Sequence, residues 1–182
     1  SRRRHTRYGT VTGVQTCALP ILLASRAAEP RRLARSATYF HAMKPTRLLD
    51  QAITPDGTPL TLHEHDGVLS IRVGGVELMS TRQHHSEERM AELACAGLRD
   101  RKRAAVLIGG LGLGFTLRET LRHVAADATV VVSELVPAVI AWNRNPAYEL
   151  AADVIDDPRV ELVTDDVANV LAASRGRFDC VM

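Results

Sequence analysis

The sequence is poor in aromatic residues and cysteine, and it has no long hydrophobic run. Aromatic residues make up 4% of the 182 positions, and the three cysteines are Cys17, Cys95 and Cys180. Three widely separated cysteines give no disulfide framework, so a reducing, cytoplasmic location is expected. Because no apolar run approaches the length of a membrane span, we expect no membrane partner.

The chain also lacks a strong excess of charge of either sign. It has 23 basic and 21 acidic residues, and four of the basic ones are arginines within residues 1–21. Without those four, 19 basic residues stand against 21 acidic ones, and the remaining sequence is mildly acidic. A nucleic-acid partner therefore loses its main electrostatic support and is not expected. A cationic small substrate becomes easier to accommodate.

Residues 1–21 have an unusual signature at the level of codons. The stretch 11–21, VTGVQTCALPI, is what a common sequencing-adapter DNA encodes, and residues 1–7, SRRRHTR, resemble the other arm of that oligonucleotide in the same frame. We therefore exclude this segment from the fold prediction. The alternative is a basic arm that binds phosphates. Residues 1–42 as a whole are predicted to be a non-native or disordered leader.

The hydrophobic period changes near residue 80. Between residues 46 and 80, short alternating strands are separated by turn sequences, which predicts a β-meander or a pair of hairpins. A helix capped by Ser86 then leads into alternating strands and helices. The predicted strands are 104–108, 129–134, 160–164 and a final one after residue 177. The predicted helices run from 115 to 124, from Pro137, from after Pro146 to about Ile155, and from 167 to 173.

Strands separated by helices predict a parallel sheet with flanking helices. We therefore predict an α/β fold in which a small β-hairpin domain, residues 43–80, precedes a partial Rossmann-like nucleoside-binding domain, residues 81–182. The last strand begins close to the end of the sequence with no helix after it. The Rossmann-like domain is accordingly expected to be incomplete.

A glycine-rich turn follows the first strand of the predicted parallel sheet. In residues 106–118, VLIGGLGLGFTLR, an apolar strand leads into the alternate glycines Gly110, Gly112 and Gly114 and then into a helix. Glycine is required where the backbone turns with positive φ and lets a ligand approach more closely than a Cβ permits. This pattern predicts a nucleoside-binding crevice.

Acidic residues close the next two strands, at the edge where ligands of open α/β sheets bind. Glu134 lies twenty residues after Gly114 and can accept the hydroxyls of a ribose; a solvated loop acid is the alternative. Asp165 and Asp166 end the following strand. One of them can accept the exocyclic amine of an adenine, while the other is suited to cap the next helix.

The spacing of the glycines separates two classes of ligand. A dinucleotide fingerprint has its third glycine three residues after the second, and Phe115 occupies that position, so NAD is disfavoured. The pattern G-x-G-x-G followed by an acid resembles the S-adenosylmethionine-binding turn of methyltransferase-like folds. The sequence therefore favours a sulfonium nucleoside over a dinucleotide.

Several stretches together resemble the spermidine synthase (polyamine aminopropyltransferase) family over roughly residues 60–182. They are VGGV at 73–76, VLIGGLGLGFTLRETL at 106–121, VVVSELVPAVI at 130–140, DPRVELVTDDVANVL at 157–171 and FDCVM at 178–182. The resemblance implies a small β domain before a methyltransferase-like Rossmann domain. It also implies that Glu134 holds the ribose and Asp165 the adenine of decarboxylated S-adenosylmethionine, a co-substrate rather than a tightly bound cofactor. The implied reaction passes an aminopropyl group to a polyamine acceptor.

The sequence departs from the family pattern at the amine site. Leu113 stands where the family loop has an aspartate, Leu78 where it has a glutamine, and residues 87–89, EER, where it has Tyr-His-Glu. By the same resemblance the catalytic aspartate lies beyond Met182, so no catalytic residue is assigned in this chain. We expect the chain by itself to be inactive.

Two other functions remain open on the same fold. One is a methyltransferase that uses S-adenosylmethionine, and the other is a non-catalytic nucleoside-binding protein. The family resemblance implies a homodimer or homotetramer. No metal site is predicted, because neither His63 with His65 nor His84 with His85 and Glu87 is completed by further ligands at a known spacing.

Overall fold

A computed structural model of the chain describes residues 44–182. The predicted leader, residues 1–42, lies outside the described residues, as does Cys17. The described residues belong to one compact unit. None of the helices in residues 44–182 has the length and hydrophobicity of a transmembrane span.

The first half of the described chain is an antiparallel sheet of four consecutive strands in the order β1-β2-β3-β4. They are β1 (Arg47–Ile53), β2 (Pro59–His65), β3 (Val68–Val73) and β4 (Val76–Ser80). The link between β2 and β3 is the two-residue turn Asp66-Gly67, with φ of 51° and 77°. Positive φ at both positions matches the right-handed twist of the paired strands. The predicted meander is confirmed.

The second half is a parallel sheet in the order β7-β6-β5-β8, with helices between the strands. Its strands are β5 (Ala105–Gly109), β6 (Thr129–Ser133), β7 (Val160–Val163) and β8 (Cys180–Val181). The helices of the chain are α1 (His85–Cys95), α2 (Phe115–His123), α3 (Pro137–Arg144) and α4 (Val167–Ala173). The predicted α/β class is confirmed, and the bounds of β5, β6, β7, α2 and α4 differ from the prediction by at most one residue.

The valines of β6 are buried on both faces of the parallel sheet. Val130 and Val132 pack into the main core, whereas Val131 packs with Leu107 and Val170 on the opposite face of the sheet. All three valines are fully buried. A strand covered on both faces by helices loses the alternation of polar and apolar residues, as parallel strands commonly do.

Two helix predictions are wrong in detail. Helix α1 begins at His85, so Ser86 lies inside its first turn and does not cap it; the Ser86 hydroxyl instead donates to Oε2 of Glu87 at 2.7 Å. The stretch after Pro146 is a 3₁₀ helix of three residues, Pro146–Tyr148, followed by turns as far as Ile155. It stops because Glu149 adopts the left-handed conformation, with φ of 50°, which ends a right-handed helix.

Candidate functional site

The carboxyl ends of β5, β6 and β7 bring the predicted site residues to one edge of the parallel sheet. The amide of Gly110 donates to the carbonyl of Ser133 at 2.7 Å, and the amide of Glu134 donates to the carbonyl of Val163 at 2.9 Å. The Ser133 hydroxyl donates to the carbonyl of Asp165 at 2.7 Å. These bonds continue the sheet pairing by one residue and fix the glycine turn beside the acidic residues.

A cavity of about 400 Å³ lies between this edge and the antiparallel sheet. The glycine turn, residues 109–113, forms one wall. The antiparallel sheet forms another, mainly through Leu60, Ile71, Val73, Leu78 and Met79. Two carboxylates line it, Glu87 from α1 and Glu134 from the end of β6. Such an apolar cavity with a few polar groups is the usual form of a small-molecule site.

Backbone amides hold the Glu134 carboxylate in place. Oε2 accepts from the amide of Leu111 at 2.8 Å, and Oε1 accepts from the amide of Val136 at 2.8 Å. The residue is only 7% exposed, yet it reaches the cavity. Each carboxylate oxygen has about two acceptor positions, so each keeps one for a ligand hydroxyl.

The three predicted glycines have different surroundings. A Cβ on Gly110, where φ is 104°, meets no atom within 4 Å, so this position is open to a ligand. A Cβ on Gly112 lies 2.8 Å from the thioether of Met79, and one on Gly114 lies 2.4 Å from the Cβ of Ala151. Of the three, Gly110 has the open approach that ligand binding requires, whereas Gly114 is needed for packing.

Asn143 supports the glycine turn and was not among the site residues predicted from the sequence. Its side chain is fully buried, and Nδ2 donates to the carbonyl of Gly112 at 2.7 Å and to that of Val139 at 2.9 Å. The carbonyl of Gly112 therefore has a fixed partner from α3. The available signal was a single amide side chain on the apolar face of a short helix.

Asp165 and Asp166 lie at the same sheet edge but do not line the cavity. Asp166 caps α4, because its Oδ1 accepts from the amide of Ala168 at 2.8 Å. Oδ1 of Asp165 accepts from the amide of Asp166 at 2.7 Å and from Nδ2 of Asn169 at 2.8 Å. Within the described chain Oδ2 of Asp165 accepts no hydrogen bond and is free for a ligand.

Aromatic stacking connects the start of α1 to the start of α2. The rings of His84 and Phe115 are 4.2 Å apart and nearly parallel, and Nδ1 of His84 lies 3.0 Å from a carboxylate oxygen of Glu88. This contact places the first turn of α1, with Glu87, beside the helix that follows the glycine turn.

The thiols and histidines of the described part form no further reactive centre. Burial raises the pKa of the Cys95 thiol to about 11 and also raises that of Cys180, so both thiols stay protonated at neutral pH. Among residues 44–182 no three histidine, cysteine or carboxylate side chains group as metal ligands. His63 instead contacts the hydroxyl of Thr61, with 3.0 Å between Nε2 and Oγ1.

A four-stranded parallel sheet with a glycine turn after one strand and an acid after the next defines a Rossmann-like protein. The chain is 32% identical over 111 residues to polyamine aminopropyltransferase 1 of Streptomyces coelicolor, which is 60% of this chain and 20% of that protein. It is 38% identical over 78 residues to the polyamine aminopropyltransferase of Aeropyrum pernix, 42% of this chain and 24% of that protein. The chain thus spans about a fifth to a quarter of these relatives. No protein-family model matches it.

Two solved structures superpose on this chain and support the α/β fold described above. Spermidine synthase from Thermotoga maritima superposes with a TM-score of 0.61 at 23% identity, covering 74% of this chain and 46% of that one. A spermidine synthase in complex with the transition-state analogue AdoDATO gives 0.60 at 22% identity with the same coverage. The comparisons support a divergent, partial spermidine synthase-like protein, and the resemblance predicted from the sequence motifs is confirmed.

Proposed function

We propose that the whole protein is a spermidine synthase-like transferase, which moves an aminopropyl group from decarboxylated S-adenosylmethionine to an amine acceptor in polyamine biosynthesis. The donor binds as a co-substrate. The observation that carries this proposal is the Glu134 carboxylate, held by two backbone amides at the cavity with one acceptor position left on each oxygen. The relatives named polyamine aminopropyltransferase support the same reaction.

The ribose of the donor is proposed to bind at Glu134. Two vicinal hydroxyls suit a carboxylate whose two oxygens each keep a free acceptor position, and hydrogen bonds to a charged group are the stronger ones. Gly110, which has open space where a Cβ would stand, allows the nucleoside to lie against the turn. Gly112 and Gly114 are assigned to the shape of the turn. The adenine amine is proposed to donate to the free Oδ2 of Asp165, with Asp166 as the helix cap.

The chemistry of the proposed reaction is a single displacement. The lone pair of the neutral acceptor amine attacks the carbon attached to the sulfonium, a C–N bond forms, and the C–S bond breaks. The electron pair stays on sulfur, so methylthioadenosine leaves as a neutral molecule, and the proton of the new ammonium passes to a base. The protein contributes mainly by holding the two reactants in line.

Further features belong to the same proposal. Residues 43–80 are assigned to the small β domain and residues 81–182 to the nucleoside-binding domain. The protein is proposed to be cytoplasmic, to bind no nucleic acid, and to assemble as a homodimer or homotetramer. Light scattering after size-exclusion chromatography measures that assembly directly.

The ribose assignment is tested on the 182-residue chain with two nucleosides, 5′-methylthioadenosine and its 2′-deoxy analogue. In the unchanged chain, loss of the hydroxyl is expected to weaken binding about tenfold or more, since a hydrogen bond to a charged group contributes about 1.5–3 kcal/mol. In Glu134→Gln the two nucleosides are expected to bind with similar, weaker affinity. Glu161→Gln is the matched control, because Glu161 is an exposed carboxylate outside the cavity that pairs with Arg177.

Two results contradict the assignment. One is binding of methylthioadenosine that is unaffected by Glu134→Gln, and the other is a preference for the ribose over the deoxyribose that persists in that variant. Calorimetry gives the affinities, and circular dichroism verifies that the variants fold.

The reaction class is tested on the full-length protein by offering each sulfonium donor and identifying the nucleoside product. Methylthioadenosine indicates aminopropyl transfer, whereas S-adenosylhomocysteine indicates the alternative, a methyltransferase on the same fold. Nucleoside binding without either product indicates a non-catalytic binding protein. The residues that replace the family's amine contacts, such as Leu78, favour keeping this last candidate.

A further inference from the structure

The cavity wall that faces the glycine turn is almost entirely hydrocarbon. It is built mainly by side chains of β2, β3 and β4, among them Leu60, Ile71, Leu78 and Met79. Thr54, which directly follows β1, is its polar member. Leu78 is 63% exposed, so an ammonium group placed against this wall loses part of its hydration. Among the described residues of the wall it finds no carboxylate partner. The wall therefore selects against a second positive charge on a ligand.

Of the two cavity carboxylates among the described residues, Glu87 is the one without backbone hydrogen bonds. Glu134 is committed to two backbone amides, whereas Glu87 accepts one side-chain hydrogen bond, from the Ser86 hydroxyl. Among residues 44–182, no lysine, arginine or histidine forms an ion pair with Glu87; the histidine nearest this turn, His84, lies 3.0 Å from the neighbouring Glu88 instead. An unpaired carboxylate beside apolar side chains is a favourable partner for one ligand ammonium.

We infer that the acceptor amine of this protein is a monoamine with an apolar tail, whose one ammonium binds Glu87 while its hydrocarbon lies against Leu78 and Met79. The inference rests on the aminopropyl transfer of the proposed function and replaces its polyamine acceptor with a monoamine. Before transfer to such an amine, the bound ammonium loses one proton to solvent. The lone pair of the resulting neutral amine then forms the C–N bond while the C–S bond of the donor breaks, and methylthioadenosine leaves. The product is an N-alkylated 1,3-diaminopropane.

The test compares n-pentylamine with 1,4-diaminobutane, which have the same number of heavy atoms and differ by a terminal CH₃ in place of NH₃⁺. Binding to the 182-residue chain is measured by calorimetry at constant ionic strength, with and without saturating 5′-methylthioadenosine. We expect n-pentylamine to bind at least tenfold more tightly than the diamine. Equal affinities, a preference for the diamine, or no binding of either amine at millimolar concentration overturns the inference.

Variants test the two contacts separately. Glu87→Gln is expected to weaken n-pentylamine binding about tenfold, while Glu92→Gln, on the exposed face of the same helix and outside the cavity, is expected to change it less than twofold. Leu78→Glu adds a second carboxylate to the apolar wall and is expected to reverse the preference in favour of the diamine. An unchanged preference in Leu78→Glu contradicts the role of the wall.

Failure of the inference on the acceptor amine can be distinguished from failure of the proposed nucleoside site. If methylthioadenosine does not bind but n-pentylamine does so through Glu87, the nucleoside site is wrong and the amine site stands. If methylthioadenosine binds with the predicted dependence on Glu134 and the diamine is preferred, the nucleoside site stands and the inference on the acceptor is wrong.

Discussion

The indole Nε1 of Trp142 donates a hydrogen bond of 2.9 Å to Oδ2 of Asp50. This bond joins α3, which flanks the parallel sheet, to β1 of the antiparallel sheet. Trp142 is 2% exposed and is the only tryptophan of the chain. Its fluorescence therefore reports directly on the contact between the two sheets that enclose the cavity.

We expect Asp50→Ala to lower the free energy of unfolding by about 1–3 kcal/mol, because the indole N–H then remains buried without a partner. Urea unfolding followed by the Trp142 emission measures this. Asp127→Ala is the matched control: the carboxylate of Asp127 is exposed and makes no hydrogen bond within the described residues, so its loss is expected to cost less than about 0.5 kcal/mol. Equal effects of the two substitutions refute the role of the bond.

Gly114→Ala is expected to destabilise the chain by about 2–5 kcal/mol. The left-handed conformation contributes about 1–2 kcal/mol for a residue with a Cβ, and overpacking against Ala151, 2.4 Å away, contributes about 1–3 kcal/mol. Gly176→Ala isolates the first contribution, because Gly176 has a similar φ of 70° and open space around it. Thermal unfolding of both variants measures the difference, and equal losses show that Ala151 does not constrain this position.

Asn143→Ala is expected to weaken methylthioadenosine binding about tenfold, since the carbonyl of Gly112 loses its partner and the turn loosens. Asn145→Ala is the control, because it removes a hydrogen bond of 3.0 Å to the amide of Ala147, outside the cavity. That substitution is expected to cost about 0.5–2 kcal/mol of stability with no loss of affinity. Loss of affinity in proportion to stability in both variants indicates that Asn143 acts on folding alone.

The pair of Asp157 and Arg159 predicts a dependence of stability on acid pH. Hydrogen bonds from Arg159 lower the pKa of Asp157, and the same guanidinium donates to the carbonyls of Leu121 and Val124 at the end of α2. Because the pKa is lower in the folded state, the stabilisation is fully present above the unfolded pKa of about 4 and is lost as pH falls through the folded pKa.

Asp157→Asn is therefore expected to cost about 1–3 kcal/mol at pH 7. The difference from the unchanged chain is expected to shrink as the pH falls below about 4, since both proteins then lack the carboxylate charge. Urea unfolding at several pH values measures it. A difference that is constant from pH 7 to pH 3 rules out the ion pair as its source.

The parts of the fold that sequence predicted are those with local signals. The turn residues Asp66 and Gly67 mark a hairpin, and the valine run in β6 marks a buried parallel strand, because each depends on the residues themselves and their immediate neighbours. The helix predicted after Pro146 was wrong because nothing in the sequence indicates the left-handed conformation of Glu149. Glutamate is a good helix former.

In the site, too, features with a local sequence signal could be predicted and long-range contacts could not. The placement of the glycine turn and Glu134 at one sheet edge could be predicted because their spacing along the chain reflects one strand-turn-helix-strand unit. The contacts of Met79 with Gly112 and of Ala151 with Gly114 join residues more than thirty positions apart, and no local pattern gives such pairs. Whether Glu87 forms an ion pair likewise depends on which cationic side chains the fold brings near it.

The two sheets differ in the sequence separation between their paired strands. The strands of the meander pair with their sequence neighbours across short turns, whereas β8 pairs with β5, where the amide of Ala105 meets the carboxylate of Asp179 across 74 positions. Closing a long loop costs more entropy and slows folding. We therefore expect the meander to form first and to offer its apolar face as a template on which the later sheet assembles.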